Sequence, residues 1–260
     1  MDDLKQHFRP SEAAFVNQSQ GWVNQASKEY RPILTPFLNP RQRYILTTLV
    51  NRQEELKIES QGIFNHAESQ RVLIMPDYYV SSPDDFEMTL LELEYSQKFA
   101  TLQHRTILGA MVHSGLKRES FGDIVVDDNQ RWQIAVSNHI APFVQQDLTR
   151  MGRNKVKLKP VSAEQAITLV QDWVESDVTV TSLRLDTVVA QAYRLSRTQA
   201  KELIERGLVK VNWTEITQAD FTIATDDLLS VRGYGRVRIT QNNGITKKEK
   251  HRLTIAVIQK

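Results

Sequence analysis

Cysteine is absent from this chain of 260 residues, which excludes disulfides, thiolate zinc sites and a cysteine nucleophile. Long apolar runs are absent as well, because no stretch reaches the roughly 20 residues that a membrane-spanning helix requires. The first residues, MDDLKQHFRP, are polar and lack the apolar run of a secretory signal peptide. With 40% hydrophobic and 25% charged residues, the composition is that of an ordinary globular protein. These features predict a cytoplasmic protein that does not enter a membrane.

Nucleotide-cofactor motifs are missing too, since neither G-x-x-x-x-G-K-S/T nor a G-x-G-x-x-G after a strand occurs. The candidate metal ligands have ordinary explanations. His104 and His113 are spaced to lie on different helix faces, and Asp127–Asp128 falls in a polar turn. Glu92 and Glu94 fit the solvated face of a strand. We therefore predict no catalytic residue, no cofactor, no metal and no small-molecule substrate.

Charge is distributed unevenly along the chain. Residues 181–260 contain 14 Lys and Arg against 8 Asp and Glu, whereas residues 1–180 contain 19 against 23. In the last thirty residues Glu249 is the single acid among eight basic residues. This imbalance indicates a polyanionic partner, with a solvated face on a soluble domain as the alternative.

The first two-thirds of the chain predict two α+β domains. Residues 1–80 predict an N-terminal α/β domain in which prolines break the chain between its first two helices. Residues 83–160 follow the order β-α-β-β-α-β, a ferredoxin-like, RRM-like plan, but lack the aromatic stacking signature of RNA-recognition motifs. The first domain is expected to contain helices at Ser11–Tyr30 and Pro40–Arg52, and strands at Leu56–Phe64 and Arg71–Met75. The second is expected to contain strands at Phe86–Tyr95, Asp123–Val126, Trp132–Val136 and Lys155–Lys159, with helices at His104–Leu116 and from Ser137 or Asn138 to Met151.

Residues 161–180 are expected to form an amphipathic linker helix. Ser162 and Gln165 make a capping box, and Ile167, Val170 and Val174 follow at helical spacing.

Residues 181–260 predict a small domain with two short helices followed by strands. Apolar residues stripe the first helix from Leu185 to Ala192, Ser196 and Gln199 form a capping box for the second helix, and Gly207 ends it. Strands are expected at Val209–Val211, Leu228–Val231 and Arg236–Ile239.

The polar side of the second helix suggests a phosphate clamp. Arg197 and Lys201 lie one turn apart outside the apolar stripe, and the helix begins at Ser196, where free N–H groups and the positive dipole end can meet a phosphate. Lys210, Arg232, Arg236 and Arg238 are expected to extend this contact along an RNA backbone.

Residues 182–240 resemble the S4-type (alpha-L) RNA-binding domain. The matching pattern is R-L-D, then S-R-x-x-A-K-x-L-I-x-x-G-x-V-x-V-N, then D-x-L-S-V-R-G-x-G-R. The resemblance implies that the RNA-facing positions are Ser196, Arg197, Thr198, Lys201, Lys210, Asn212, Arg232 and Arg236. With the basic residues around them, the expected RNA surface comprises Arg184, Ser196, Arg197, Thr198, Lys201, Arg206, Lys210, Asn212, Arg232, Arg236 and Arg238.

The whole chain resembles the bacterial YlmH-like proteins, through the run I-L-G-A-M-V-H-S-G-L-K-R-E-S-F-G-D-I in particular. The resemblance implies ribosome association, binding of rRNA or tRNA, a role on stalled large subunits that hold peptidyl-tRNA, and a link to cell division. The matched positions in this run are Leu108, Gly109, Gly115, Lys117, Arg118, Gly122 and Asp123.

A second RNA surface is expected on the middle domain. Lys155, Lys157 and Lys159 alternate with Val156 and Leu158, so one face of their strand is basic. Lys117 and Arg118 either join this surface or complement the dipole of the preceding helix. The expected members are Lys117, Arg118, Arg150, Arg153, Lys155 and Lys157.

These features predict a non-catalytic RNA-binding protein associated with the ribosome. One alternative is an RNA-modifying enzyme of the pseudouridine synthase or rRNA methyltransferase type, because synthases use an Arg-Leu-Asp motif like Arg184–Asp186. The position of Asp186 near a helix start favours an ordering role instead. The other alternative is a cell-division scaffold.

Overall fold

The computed structural model describes residues 8–98, 100–168 and 173–259. The chain divides into two compact units, residues 1–170 and 171–260. Helices and strands are mixed in both, which confirms the predicted α+β class. No helix within the described residues is long and apolar enough to cross a bilayer.

The N-terminal part of the first unit packs two helices against a three-stranded antiparallel sheet of order β1-β3-β2. Asn39 caps the second helix, because its side chain accepts the N–H of Gln42 at 2.8 Å and Pro40 fits the first turn. The core between helices and sheet includes Val23, Leu46 and Ile74. The elements are α1 (Ala13–Glu29), β1 (Ile33–Leu38), α2 (Pro40–Val50), β2 (Leu56–Gln61) and β3 (Gln70–Pro76).

Strand β1 was not predicted, because Pro32 and Pro36 suggested a break. Pro36 lies on an edge strand, where the pairing register shifts between Leu34 and Phe37, so its missing N–H costs little. Helix α1 also begins at Ala13, after a 3-10 turn, rather than at Ser11.

The middle part has the predicted β-α-β-β-α-β order with one added strand. Its antiparallel sheet has the order β5-β6-β4-β8-β7. Without the short β7, this is the ferredoxin-like arrangement, in which the first and third strands lie at the centre. The elements are β4 (Met88–Tyr95), α3 (His104–His113), β5 (Phe121–Val126), β6 (Trp132–Ser137), α4 (Ala141–Asp147), β7 (Arg150–Met151) and β8 (Asn154–Val161).

Helix α4 is shorter than the prediction from Ser137 or Asn138 to Met151. It ends at Asp147, and Arg150 and Met151 pair with Lys155 and Asn154 in a hairpin. Gly152 adopts φ +61° in the hairpin turn, so it serves the turn and does not stop a helix.

The two faces of the middle sheet bury different partners. Helices α3 and α4 cover one face, where Leu91, Phe121 and Ile134 lie in the core. On the other face, Leu90 and Ala135 pack against Ile167 and against apolar residues of the N-terminal part. These N-terminal residues are Phe37, Phe64 and Ala67. The two parts of the first unit therefore share a core.

The predicted linker helix over residues 161–180 is wrong. The Ser162–Gln165 capping box exists, but it starts only the 3-10 turn Ala163–Gln165. Val174 belongs to a strand, and Val170 lies outside the described residues.

The second unit contains a six-stranded antiparallel sheet of order β11-β10-β12-β13-β14-β9. Two helices pack on it through Leu185, Val188 and Ile204, which confirms the helical pair and the three predicted strands. Strands β9, β11 and β14 were not predicted. The elements are β9 (Val174–Val180), α5 (Leu185–Tyr193), α6 (Arg197–Glu205), β10 (Val209–Val211), β11 (Thr214–Glu215), β12 (Leu228–Val231), β13 (Gly235–Ile245) and β14 (His251–Gln259).

Candidate nucleic-acid interface

Helix α6 begins with the capping box predicted from the sequence. The Ser196 hydroxyl accepts the N–H of Gln199 at 3.2 Å, and the Gln199 side chain accepts the N–H of Ser196 at 2.9 Å. Ser196, Arg197, Thr198 and Lys201 are exposed. The positive end of the helix dipole therefore meets solvent beside two cationic side chains, which is an arrangement suited to a phosphate.

A buried carboxylate holds Arg197 in place. Arg197 Nη2 donates to Asp186 Oδ2 at 2.8 Å, and Arg184 Nε donates to Asp186 Oδ1 at 3.1 Å. Asp186 is 3% exposed, whereas the side chains of Arg184 and Arg197 are 42% and 59% exposed. Burial by itself would raise the pKa of Asp186, but hydrogen bonds from the two arginines outweigh it and lower the pKa to about 2.

The Arg-Leu-Asp triplet thus positions basic side chains. Both oxygens of Asp186 accept hydrogen bonds from arginine, and Thr187 Oγ1 also donates to Oδ1 at 3.2 Å. Such a saturated, ionised carboxylate has an ordering role at the start of α5. Within the described residues, no group of three or more His, Asp or Glu side chains is arranged to hold a metal ion.

Other predicted RNA contacts lie at exposed positions near the two helices. Lys201 Nζ lies 3.5 Å from Glu205 Oε1, but both side chains are more than half exposed, so this pair is weak and Lys201 stays accessible. Arg206, Lys210 and Arg232 are also exposed.

Three of the residues predicted to bind RNA contact other parts of the protein or are half-buried. Asn212 lies in the turn from β10 to β11 with φ +49°. Its side-chain amide donates to Asp227 Oδ1 at 2.8 Å and accepts the N–H of Leu228 at 3.0 Å. The amide therefore orders the sheet. The Arg238 guanidinium stacks on the Trp173 ring at 5.0 Å. Arg236 is half-buried. These three residues are therefore less accessible than the group around α6.

The β7–β8 hairpin gathers most of the second predicted surface. Arg150 and Lys155 are directly opposed, and their neighbours Met151 and Val156 are buried, so both basic side chains lie on the face away from α3 and α4. Lys157 continues this face, and Arg153 is exposed in the turn. Lys117 is exposed after α3, outside this hairpin.

Arg118 is also exposed, and it contacts both parts of the first unit. Its Nη1 donates to the Phe121 carbonyl oxygen at 2.5 Å, its guanidinium lies 4.8 Å from the Phe121 ring centroid, and its Nη2 lies 3.4 Å from Ser69 Oγ. The Asp123 carboxylate accepts the backbone N–H groups of Glu68 and Ser69 at 2.7 and 3.1 Å. Burial and the Glu68 charge raise the pKa of Asp123. These residues connect β5 to the N-terminal part.

The sheet face opposite the helices is covered beside Gln133. RNA-recognition motifs stack bases on a sheet surface. Here Gln133 is fully buried, donates to the Gln165 carbonyl oxygen at 3.0 Å and accepts the Ile167 N–H at 2.8 Å. The covered area includes Leu90 and Ala135 at the sheet centre. RNA contacts by this domain are therefore expected at the β7–β8 edge.

Comparisons with known proteins match nearly the whole chain. Family models match residues 11–79 ("YlmH, N-terminal"), 81–165 ("Putative RNA-binding domain in YlmH") and 183–229 ("S4 domain"). The Ribosome-associated protein quality control protein P2 of Bacillus subtilis is 39% identical over 254 residues, which cover 98% of each chain. The chain belongs to the YlmH family. A solved structure, the Cell division protein ylmH from Streptococcus pneumoniae, is 36% identical, has a TM-score of 0.55 and covers 62% of this chain and 97% of its own.

The S4 match in this YlmH-family protein ends at residue 229, before β13 and β14. Two basic residues missed by the sequence-based prediction lie near Arg197. Arg194 is the C-cap that follows α5, and Lys250 precedes β14; both line the same cleft as Arg197. Lys250 was part of the basic C-terminal run, but only the pairing of β14 with β9 shows where that run lies.

Proposed function

We propose that this protein is a non-catalytic RNA-binding protein that works on the ribosome, in the cytoplasm, by holding rRNA or tRNA through its C-terminal unit. The observation that carries the proposal is the exposed start of α6, where Ser196 and Arg197 lie at the positive end of the helix dipole and Lys201 follows one turn later. The family membership and the name of the Bacillus relative support a task in ribosome-associated protein quality control. We extend the proposal to stalled large subunits as the place where this task is carried out.

Recognition of this kind depends on phosphate and shape. Two exposed cations and a helix start provide phosphate contacts, and counterion release makes such binding strongly dependent on salt. The β7–β8 hairpin, with Arg150, Arg153, Lys155 and Lys157, supplies a second phosphate-binding surface.

Titration of RNA binding against salt tests the proposal. Bulk tRNA and purified large-subunit rRNA are bound to the full chain by filter binding between roughly 50 and 200 mM salt. Arg197→Gln and Lys201→Gln should each weaken binding and flatten the plot of log affinity against log salt by roughly one unit. Lys28→Gln is the matched control, because Lys28 is exposed on α1 of the first unit and its replacement removes the same positive charge there.

Two results would overturn the proposal. One is absence of binding to either RNA by the unaltered chain, together with absence from ribosomal particles in a sucrose gradient of lysate. The other is an RNA-modifying activity, detected as a mass change in bases of rRNA incubated with the protein.

The name of the Streptococcus relative favours a second candidate, a scaffold in cell division. A scaffold would keep its protein partners after ribonuclease treatment of a pull-down, whereas a ribosome-bound protein would lose them.

A further inference from the structure

An open cleft of about 540 Å³ lies beside the start of α6. Three segments of the second unit form it: the end of β9, the helix α5 with its turn into α6, and the loop between β13 and β14. The last segment lies beyond residue 229, where the S4 match ends.

The cleft is positively charged. Arg194, Arg197 and Lys250 line it, and among the described residues no Asp or Glu does. Thr179 and Thr181 add hydroxyl groups near the end of β9. Guanidinium, ammonium and hydroxyl groups are the side chains that most often contact phosphate oxygens, so the lining matches a phosphodiester.

Local backbone geometry brings Arg194 and Arg197 to one side of the cleft. Arg194 caps the C-terminal end of α5 with φ +54°, and its N–H donates to the Ala190 carbonyl oxygen. The chain therefore reverses sharply, and Leu195 N–H donates to the same carbonyl at 2.9 Å. Arg197 then opens α6 within three residues of Arg194.

Strand pairing places Lys250 on the opposite side. His251, the first residue of β14, pairs with Val180 at the end of β9. The loop before it is closed by two hydrogen bonds, from Thr246 N–H to the Lys250 carbonyl oxygen at 2.7 Å and from Lys250 N–H to Thr246 Oγ1 at 3.1 Å. Lys250 is thus fixed at the point where β9 leads into α5.

The charge of the cleft is largely uncompensated. Arg197 shares its guanidinium with Asp186, but in the part of the chain that the structure describes neither Arg194 nor Lys250 has an acidic partner within 4.0 Å. Three cations around one open space repel one another when the space is empty. Binding of an anion between them relieves this repulsion and is therefore favoured.

We infer that this cleft holds a phosphodiester group of the RNA, so that the β13–β14 hairpin completes the RNA interface. The inference rests on the proposed function, because it extends the surface around Ser196 and Arg197 by one further backbone contact. The cleft is open and continuous with Arg197, which suits a polymer backbone better than an enclosed small molecule.

Single charge removals in the full chain test the inference. Lys250→Gln and Arg194→Gln should each weaken binding of bulk tRNA or large-subunit rRNA several-fold and lower the salt slope by roughly 0.7 to 1. Lys248→Gln is the matched control, because it removes the same charge from the same loop without lining the cleft. Thermal unfolding followed by circular dichroism should be the same for all three variants.

The outcomes separate the inference from the proposed function. If Lys250→Gln and Lys248→Gln have equal effects on RNA binding while Arg197→Gln still weakens it, the inference that the cleft holds RNA is wrong. The proposed function would then still stand. Failure of the unaltered chain to bind RNA would overturn both. Adenosine monophosphate serves as a small probe: if Lys250→Gln lowers its affinity but leaves RNA binding unchanged, the cleft is a nucleotide site and the inference is wrong.

Discussion

Asp186 Oδ2 accepts a 2.8 Å hydrogen bond from Arg197 Nη2, which joins the start of α5 to the start of α6. The same carboxylate holds Arg184, so one buried charge orients two exposed guanidinium groups. A positioned guanidinium loses less conformational freedom when it meets a phosphate than a freely rotating one does. We therefore expect Asp186 to raise RNA affinity indirectly, by positioning Arg184 and Arg197.

Replacing Asp186 with Asn should destabilise the second unit by about 1–3 kcal/mol, because charge-assisted hydrogen bonds to a buried carboxylate are lost. Urea unfolding measures the change. Glu175→Gln is the control, because Glu175 is an exposed acid of the same unit and its replacement should change stability by less than about 0.5 kcal/mol. RNA affinity should fall in Asp186→Asn although net positive charge increases; a rise in affinity would contradict the positioning role.

The stabilisation by Asp186 should depend on pH in a defined window. The pKa of this carboxyl is lowered from 3.8 to about 2 in the folded chain. A depressed pKa gives stability that is complete above the unfolded pKa and is lost as pH falls through the folded pKa. The difference in unfolding free energy between the unaltered chain and Asp186→Asn should be constant from pH 7 to 5 and shrink below about pH 4. A difference that already shrinks between pH 7 and 6 would point to another titrating group.

The β7–β8 surface should add phosphate contacts that are independent of α6. The double variant Lys155→Gln/Lys157→Gln is expected to lower the salt slope of rRNA binding by roughly one to two units. Combined with Arg197→Gln, the losses should add, because the sites lie in separate units. Lys28→Gln again gives the background effect of one lost charge. If the double variant binds rRNA no more weakly than Lys28→Gln does, the hairpin is not part of the RNA interface.

Two glycines in the first unit should respond to alanine with opposite signs. A Cβ on Gly122 would lie 2.7 Å from Phe37 Cε1 and 3.2 Å from Ala135 Cβ, so Gly122→Ala should destabilise the unit by about 1–3 kcal/mol. Gly21 lies inside α1 with nothing within 4 Å of its Cβ position, so Gly21→Ala should stabilise by about 0.5–1 kcal/mol. Urea midpoints compare the two, and destabilisation by both would show that the space around Gly21 is filled.

Local signals made much of the fold predictable. The capping box of α6 and the alternating strands of the middle domain are set by neighbouring residues, and both were confirmed. Strand β9 was missed because its residues are mostly exposed and polar, and it becomes a strand through pairing with β14, more than 70 residues away. Helix α4 was predicted too long because Met151 fits a helix locally but pairs with Asn154.

The candidate site also combines residues that local sequence patterns predict with residues that only long-range contacts bring together. Ser196, Arg197 and Lys201 could be found from their spacing on one short helix. The links from Asp186 to Arg197 and from Lys250 to the cleft depend on contacts between distant segments, which no local pattern encodes.

The placement of β14 between β13 and β9 limits how the RNA-binding unit can be isolated. A fragment trimmed to residues 183–229 would lack Val237, Ile239, Leu253, Ile255 and Val257, which form one side of its core. Such a fragment would expose its apolar interior and aggregate on expression, whereas one that spans residues 173–259 keeps every strand of the sheet.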